Sequence, residues 1–316
     1  MKIVVLDWET VCNDNDILPS VFAQFGGADI YPLTKPEEAA SRIGRAEAVL
    51  CNKVPITREV MDKCPELRYI GLFATGYNNV DIEYAAQRGI TVCNAGQYST
   101  NAVAQQVFAY ILDYFSRVRD YDEAVKEGIW VRSPKFSCFP IPTAELAGKT
   151  LSIVGFGSIG RTVARIGEAF GMNIVVNTRT KPADCPYEVT DIFTAAEKAD
   201  VLTFHCPLTE QTRGIVNAGL LGRMKETAIL INTSRGPVVN EADLAQALGS
   251  GMIAGAYLDV LEKEPMAADT PLRNAKNCVI TPHIAWAPHE TRQRLIDIVC
   301  GNIRAWLNGQ PVNKVN

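Results

Sequence analysis

Residues 150–171, TLSIVGFGSIGRTVARIGEAFG, constrain the fold more than any other stretch of this chain. An apolar run meets three glycines, Gly155, Gly157 and Gly160, and an amphipathic segment follows at once. A strand that passes into a helix through G-x-G-x-x-G needs each glycine for a separate reason. The first permits the tight turn, the second lets backbone approach a pyrophosphate, and the third lets helix and strand pack closely. Amides near Ser158 and Ile159, at the helix N-terminus, then suit phosphate. Glycines serving only packing would leave the same letters. Here, however, another apolar run, NIVVNT at 173–178, follows at the distance a βαβ unit requires. The pattern predicts a dinucleotide site on a parallel sheet.

Most of the chain repeats this alternation. Residues 2–6, 47–51, 69–73 and 90–93 read as strands, with helical patterns at 57–64 and 81–88 between them. A second series has strands near 150–154, 173–178, 200–205, 228–232, 253–258 and 278–281. Such alternation implies an α/β fold with helices on both faces of parallel sheets. Residues 101–127 interrupt the rhythm and read as one long helix. Its stripe is Val103, Val107, Ile111, Phe115 and Val118, widened by Phe108 and Leu112, with Asn101 as N-cap and Gly128 as stop. The proline-containing loop SPKFSCFPIPT that follows reads as a domain junction. A last helix, about 289–308, puts Leu295, Ile296, Val299, Ile303 and Trp306 on one face.

Composition excludes several classes. The 316 residues are 47% hydrophobic and 21% charged, enough for two ordinary domains. A net charge of −4 and the lack of a long basic run argue against nucleic acid or an anionic membrane as partner. No apolar stretch approaches the ~20 residues of a membrane helix. The N-terminus meets Asp7 and Glu9 too soon for a signal peptide and reads as the first strand. Nine cysteines without a C-x-x-C pair suggest reduced thiols in the cytoplasm. Three histidines without a ligand cluster make a zinc site unexpected.

The end of the strand at 173–178 bears on which dinucleotide binds. Folds that take NAD usually place a carboxylate there for the ribose 2′-OH. This chain has Thr178, followed by Arg179, Thr180 and Lys181, so nothing repels a 2′-phosphate and two cations are at hand. NADP(H) is therefore favoured over NAD(H), the alternative being two solvated surface charges.

Three ionisable residues downstream form a coherent set. Arg235 follows the apolar run AILI and precedes a Gly-Pro turn, a context that suggests burial and an anionic partner. Glu264 lies in LDVLEKEP and His283 in CVITPHIAWAP. Reduction of a ketone leaves an alkoxide that needs a proton, which histidine can supply near neutral pH. A glutamate on the other imidazole nitrogen would fix its orientation, and an arginine would bind a carboxylate with two parallel bonds. Periodicity cannot bring Glu264 and His283 together. His205, ending a strand before Pro207, reads as structural or near the cofactor, and His289 as exposed.

Taken in order, FATGYNNVDI, the glycine motif, HCPLTEQT, INTSRGPVVNEADL, LDVLEKEP and TPHIAWA are similar to the D-isomer-specific 2-hydroxyacid dehydrogenases over nearly the whole chain. NKVPIT and PHIAWA resemble most the glycerate dehydrogenase/hydroxypyruvate reductase branch. The resemblance implies two Rossmann-like or flavodoxin-like domains with a cleft between them that closes on substrate. Residues 1–100 and 287–316 would form the substrate domain and 101–286 the nucleotide domain. Arg235 would bind the substrate carboxylate and carbonyl, His283 would be the general acid/base, and Glu264 would orient it. Backbone amides at Thr75 and Gly76 would also hold the carboxylate. Asp259 would take the nicotinamide carboxamide and Pro207 would border the adenine. His205, Cys206, Thr212, Thr233, Ser234, Arg235 and His283 would complete the cofactor's surroundings. Lys53, Val54, Phe73 and Trp286 would shape the side-chain pocket. Each has a plainer reading: Val54 and Phe73 as core, Lys53 as solvated, Trp286 as interdomain packing.

The implied reaction is reduction of hydroxypyruvate or glyoxylate by NAD(P)H, in a homodimer joined through the nucleotide domain. A phosphoglycerate dehydrogenase, a reductase of bulkier 2-oxo acids and a nucleotide-sensing protein-binding module remain the alternatives.

Overall fold

The apolar runs become strands because parallel sheets are covered on both faces and select continuous Val/Ile/Leu segments. The computed structural model describes residues 1–316 as two units, Met1–Ser99 with Ala287–Asn316, and Thr100–Trp286. In the first, β1 (Ile3–Val5), β2 (Ala28–Ile30), β3 (Ala48–Cys51), β4 (Tyr69–Leu72) and β5 (Thr91–Cys93) pair in the order β2-β1-β3-β4-β5. All four pairings are parallel, and this is the flavodoxin-like order. Helices α1 (Ala39–Ile43), α2 (Arg58–Asp62) and α3 (Ile82–Gln87) connect the strands. β2 was not apparent in the sequence, since it is only three residues long and half-buried.

This unit is completed by the far end of the chain. The last helix, His289–Leu307 (α10 in chain order), buries Leu295, Ile296, Val299 and Ile303, and its Trp306 packs on Tyr69 at 4.9 Å. The tail then lies along the edge strand β5. Val315 donates to the Val92 carbonyl at 2.9 Å, and the Asn316 side chain accepts from Val92 N–H at 2.9 Å.

The second unit opens with α4 (Thr100–Ser116) and α5 (Val118–Lys126). Its strands are β6 (Thr150–Val154), β7 (Asn173–Asn177), β8 (Glu188–Val189), β9 (Val201–Phe204), β10 (Ile229–Asn232), β11 (Gly255–Leu258) and β12 (Cys278–Ile280). They form one parallel sheet in the order β12-β11-β10-β9-β6-β7-β8. Helices α6 (Ser158–Ala169), α7 (Ile192–Lys198), α8 (Ala218–Leu221) and α9 (Glu241–Ser250) connect its strands. The order reverses between β6 and β9, which makes their C-terminal ends a topological switch point.

Four expectations need correction. The segment 101–127 is two helices, because Arg117 adopts the left-handed conformation at φ +53°. Its stripe holds through Phe115, but Val118 and Leu112 are exposed and α5 buries no residue. The helix also begins at Thr100, so Asn101 is inside it and not its cap. The proline-containing loop lies within the second unit and not at a junction. No helix is long and apolar enough to cross a membrane.

Candidate active site

At the end of β6 the chain turns through Gly155 at φ +95°, with its N–H on the Asn177 carbonyl at 2.8 Å. A Cβ on Gly155 would lie 2.7 Å from the backbone of His205 and Cys206, so β6 and β9 meet here without side chains between them. A Cβ on Gly160 would lie 2.2 Å from the Gly155 carbonyl oxygen. Gly157 is different: nothing lies within 4 Å of the place its Cβ would take. It is the N-cap of α6, no side chain caps that helix, and the first turn carries no acid. A helix end with open space before it and no competing carboxylate fits a pyrophosphate. The residues present therefore suit the dinucleotide.

Beyond β7, Thr178 is half-buried while Arg179 and Thr180 are exposed. Asp184, further along the same loop, is engaged by Arg161 through two parallel bonds of 2.9 Å. After β9, the His205 ring is bracketed by the hydroxyls of Thr203 (3.0 Å, Nε2) and Thr233 (3.5 Å, Nδ1). Burial pushes its imidazole down to about 3, which keeps it neutral. Cys206 is buried, Pro207 is exposed, and the Thr212 hydroxyl donates to the Pro207 carbonyl at 2.7 Å.

The ends of β10, β11 and β12, adjacent in the sheet, carry the three ionisable candidates. After β10, the buried Asn232 side chain organises the turn. Its oxygen accepts from Ser234 N–H (3.0 Å) and Ser234 O–H (2.7 Å), and its amide donates to the Arg235 carbonyl (3.0 Å). This turn aims Arg235 outward. The expected burial is wrong: Arg235 is exposed between the buried Ser234 and Gly236, with one guanidinium N–H on the Ser234 carbonyl at 2.7 Å. Gly236 packs directly on the next loop, since a Cβ there would lie 1.8 Å from the Leu261 carbonyl oxygen.

Glu264 and His283, 19 positions apart in sequence, meet through Oε2 and Nδ1 at 2.7 Å. The other Glu264 oxygen accepts from Leu261 N–H at 3.0 Å. An ionised Glu264 requires the proton on Nδ1, which leaves Nε2 as the exchanging nitrogen. The backbone at His283 is left-handed, φ +55°, and its N–H lies on the Asp259 carbonyl at 2.8 Å. Asp259 is buried and grips the same loop through its carboxylate, accepting from the Thr281 hydroxyl (2.6 Å), Ile284 N–H (2.8 Å) and Ala285 N–H (2.8 Å). Burial raises its carboxyl above the ordinary range. Tyr110 on α4 hydrogen-bonds Thr281 from the other side. Trp286, half-buried, ends this segment.

The remaining candidates belong to the first unit. The exposed Thr75, next to Gly76, donates its hydroxyl to the Gly96 carbonyl, and its backbone carbonyl accepts from the Asn94 side-chain amide at 2.8 Å. Val54 and Phe73 are buried, Phe73 against Trp8 at 6.0 Å between centroids, while Lys53 is exposed. Sequence reasoning missed Asp7. This buried carboxylate, just past β1, accepts backbone N–H from Asn52 (2.8 Å), Lys53 (2.8 Å) and Val54 (3.3 Å). Burial raises its carboxyl and the three amides oppose that rise. An acid ending an apolar strand was the available signal. No group of three or more His, Cys, Asp or Glu side chains is placed to hold a metal.

A doubly wound parallel sheet with a glycine turn at its switch point defines the class, a dinucleotide-binding α/β protein. Residues 108–285 match the D-isomer specific 2-hydroxyacid dehydrogenase, NAD binding domain. A hydroxypyruvate reductase of Blautia hydrogenotrophica is 42% identical, with 100% of both chains covered. A glycerate dehydrogenase of Methylorubrum extorquens is 38% identical over 89% of this chain and 88% of its own. The crystal structure of an NADPH-dependent glyoxylate/hydroxypyruvate reductase from Sinorhizobium meliloti, in complex with citrate, superposes with a TM-score of 0.82 at 30% identity, covering 99% of this chain and 97% of that one. The chain belongs to the D-isomer specific 2-hydroxyacid dehydrogenase family.

Proposed function

We propose that the protein reduces hydroxypyruvate or glyoxylate to D-glycerate or glycolate with NAD(P)H, and catalyses the reverse oxidation. The observation that carries this reading is the Glu264–His283 pair at 2.7 Å, set one strand from Arg235. The bound cofactor supplies hydride to C2 of the 2-oxo acid. Arg235, outward-facing and only partly engaged, binds the substrate carboxylate and polarises the adjacent carbonyl. His283 delivers the proton from Nε2 to the developing C2 alkoxide, and Glu264 holds the imidazole in the required tautomer. Thr75 and Gly76 offer backbone amides to the carboxylate, and Lys53, Val54, Phe73 and Trp286 set the side-chain pocket. Residues 101–286 serve the cofactor, and 1–100 with 287–316 serve the substrate.

The preferred cofactor is NADP(H). Supporting this, no carboxylate stands at Thr178, and Arg179 is exposed beside it for a 2′-phosphate. The assembly is a homodimer through the nucleotide unit. In its favour, Val131, Phe136 and Phe139, exposed by 88%, 93% and 85%, lie close in sequence just after an α5 that buries nothing of its own. The compartment is the cytoplasm, which suits nine free thiols.

Initial-rate oxidation of NADPH and NADH, in parallel, with hydroxypyruvate, glyoxylate, pyruvate and phenylpyruvate tests the reading. Rapid NADPH turnover with the first two is the expected result. Preference for NADH would overturn the cofactor assignment alone, preference for phenylpyruvate the substrate assignment. No turnover in protein that binds nucleotide would overturn the reaction. Light scattering of the same sample reads the dimer.

A further inference from the structure

Glu241 is the first residue of α9, a position where an acid is ordinarily explained by the helix dipole. Its carboxylate, however, is turned away from its own helix. The α9 amides of Ala242 and Asp243 are capped instead by the Asn240 side chain at 3.1 and 3.2 Å. One Glu241 oxygen accepts from Glu262 N–H at 2.8 Å and the other from the Thr270 hydroxyl at 2.7 Å. Those two contacts bracket residues 262–270, the segment that presents Glu264 to His283.

That segment is exposed and irregular over much of its length. It lies between β11 and β12 without regular structure, and residues 262–266 are exposed, so no apolar core fixes them. Glu264 closes a small ring onto Leu261 N–H at 3.0 Å, which fixes the side chain relative to its loop but not the loop relative to the sheet. Anchorage to the sheet comes from the stretch just after Arg235. Gly236 is pressed against the Leu261 carbonyl, and five residues later Glu241 takes the next amide, Glu262 N–H. One short segment thus carries Arg235 and grips the loop of Glu264 at two points.

We propose that Glu241 is a positioning residue for the reaction: it holds the 262–270 loop so that Glu264 stays on His283 Nδ1. This rests on the acid/base reading of Glu264 and His283 given above. Glutamine can preserve both contacts, its carbonyl accepting from Glu262 N–H and its amide donating to the Thr270 hydroxyl oxygen. Alanine removes both.

The test is the steady-state reduction of hydroxypyruvate by Glu241→Ala, Glu241→Gln and Thr270→Val, each made in the wild-type and Glu264→Ala backgrounds. Fluorescence titration of NADPH accompanies every variant. Glu241→Ala should lower kcat about tenfold, the scale of a mispositioned catalytic group, while the cofactor dissociation constant stays put. Glu241→Gln should recover most of that loss, and Thr270→Val should show a smaller loss in the same direction. On the Glu264→Ala background none of the three should lower kcat further, because the loop then has nothing to position. Full additivity on that background, or a wild-type kcat in Glu241→Ala, overturns the proposal. If Glu241→Ala does not fold, Thr270→Val with its own cycle decides in the same way. A Glu264→Ala enzyme with undiminished kcat would instead overturn the acid/base reading itself.

Discussion

Gly157 and Gly160 stand three residues apart in one motif, yet the structure predicts opposite failures when each becomes alanine. At Gly160 the new methyl would sit 2.2 Å from the Gly155 carbonyl oxygen, roughly 1 Å inside ordinary C···O contact. Gly155 cannot retreat, since it is itself packed on the His205–Cys206 backbone and held to the Asn177 carbonyl. Overpacking of this kind costs about 1–3 kcal/mol, and an obstacle of backbone places it near the top of that range. Replacing a helical glycine returns about 1 kcal/mol, leaving a net loss near 2 kcal/mol. For a unit of this size each kcal/mol lowers Tm by about 2–4 °C, so Gly160→Ala should melt roughly 4–8 °C lower. At Gly157 the methyl enters open space and the backbone is already extended, φ −80° and ψ −161°. Its Tm should stay within about 2 °C of wild type, because the entropy lost by the unfolded chain, which favours folding, and the poorer cap, which opposes it, nearly cancel. The methyl does, however, occupy the approach to the helix N-terminus, and NADPH affinity should fall about tenfold or more. Thermal melts followed by circular dichroism and NADPH fluorescence titrations separate the two. Equal melting losses, or wild-type affinity in Gly157→Ala, would refute the assignment of packing to one glycine and ligand approach to the other.

Further tests bear on the remaining groups. His283→Ala should lower kcat about a hundredfold or more with NADPH affinity unchanged, and normal turnover in folded protein would remove it from the acid/base role. Arg179→Ala should raise KM for NADPH about tenfold and leave KM for NADH alone; equal effects on both would place Arg179 away from the 2′-phosphate. His205 gives a pH dependence whose sign is fixed by its burial. The folded chain keeps it neutral down to about 3 while the unfolded chain protonates near 6.5, so between those values the unfolded state binds the extra proton and stability falls as pH falls. The slope is about 1.4 kcal/mol per pH unit for one proton, and His205→Asn should flatten it in urea titrations from pH 4.5 to 7; a parallel curve would show that another group is responsible.

What the sequence disclosed followed the range of the interaction. The glycine turn was legible because strand, turn and helix are contiguous and each glycine answers a local steric demand. The meeting of Glu264 with His283 was not, since it depends on β11 and β12 lying side by side, which no periodicity encodes; complementary chemistry and the resemblance to known dehydrogenases suggested it without placing it. Arg235 misled for a local reason, as the Asn232 side chain turns the chain outward at once after a fully buried strand. The break at Arg117 carries no glycine or proline to announce it, and the apolar stripe runs through it as far as Val118 although that residue is exposed. Asp7 and Glu241 were passed over because both act on backbone amides of distant loops, and an amide leaves no letter in a sequence.

The path of the chain through the first unit also sets an order in time. Residues 1–99 leave the ribosome first, but the helix and tail that complete their unit come last, after the whole of Thr100–Trp286. At ordinary rates of synthesis that interval is roughly 10–40 s. Through it β5 waits as a bare edge, its Val92 amide and carbonyl lacking the Asn316 and Val315 partners they finally hold. The nucleotide unit, contiguous in the chain, can close during that wait. The nucleotide unit should therefore be folded before the first unit is finished, and a chaperone that shields a strand edge has its opening there.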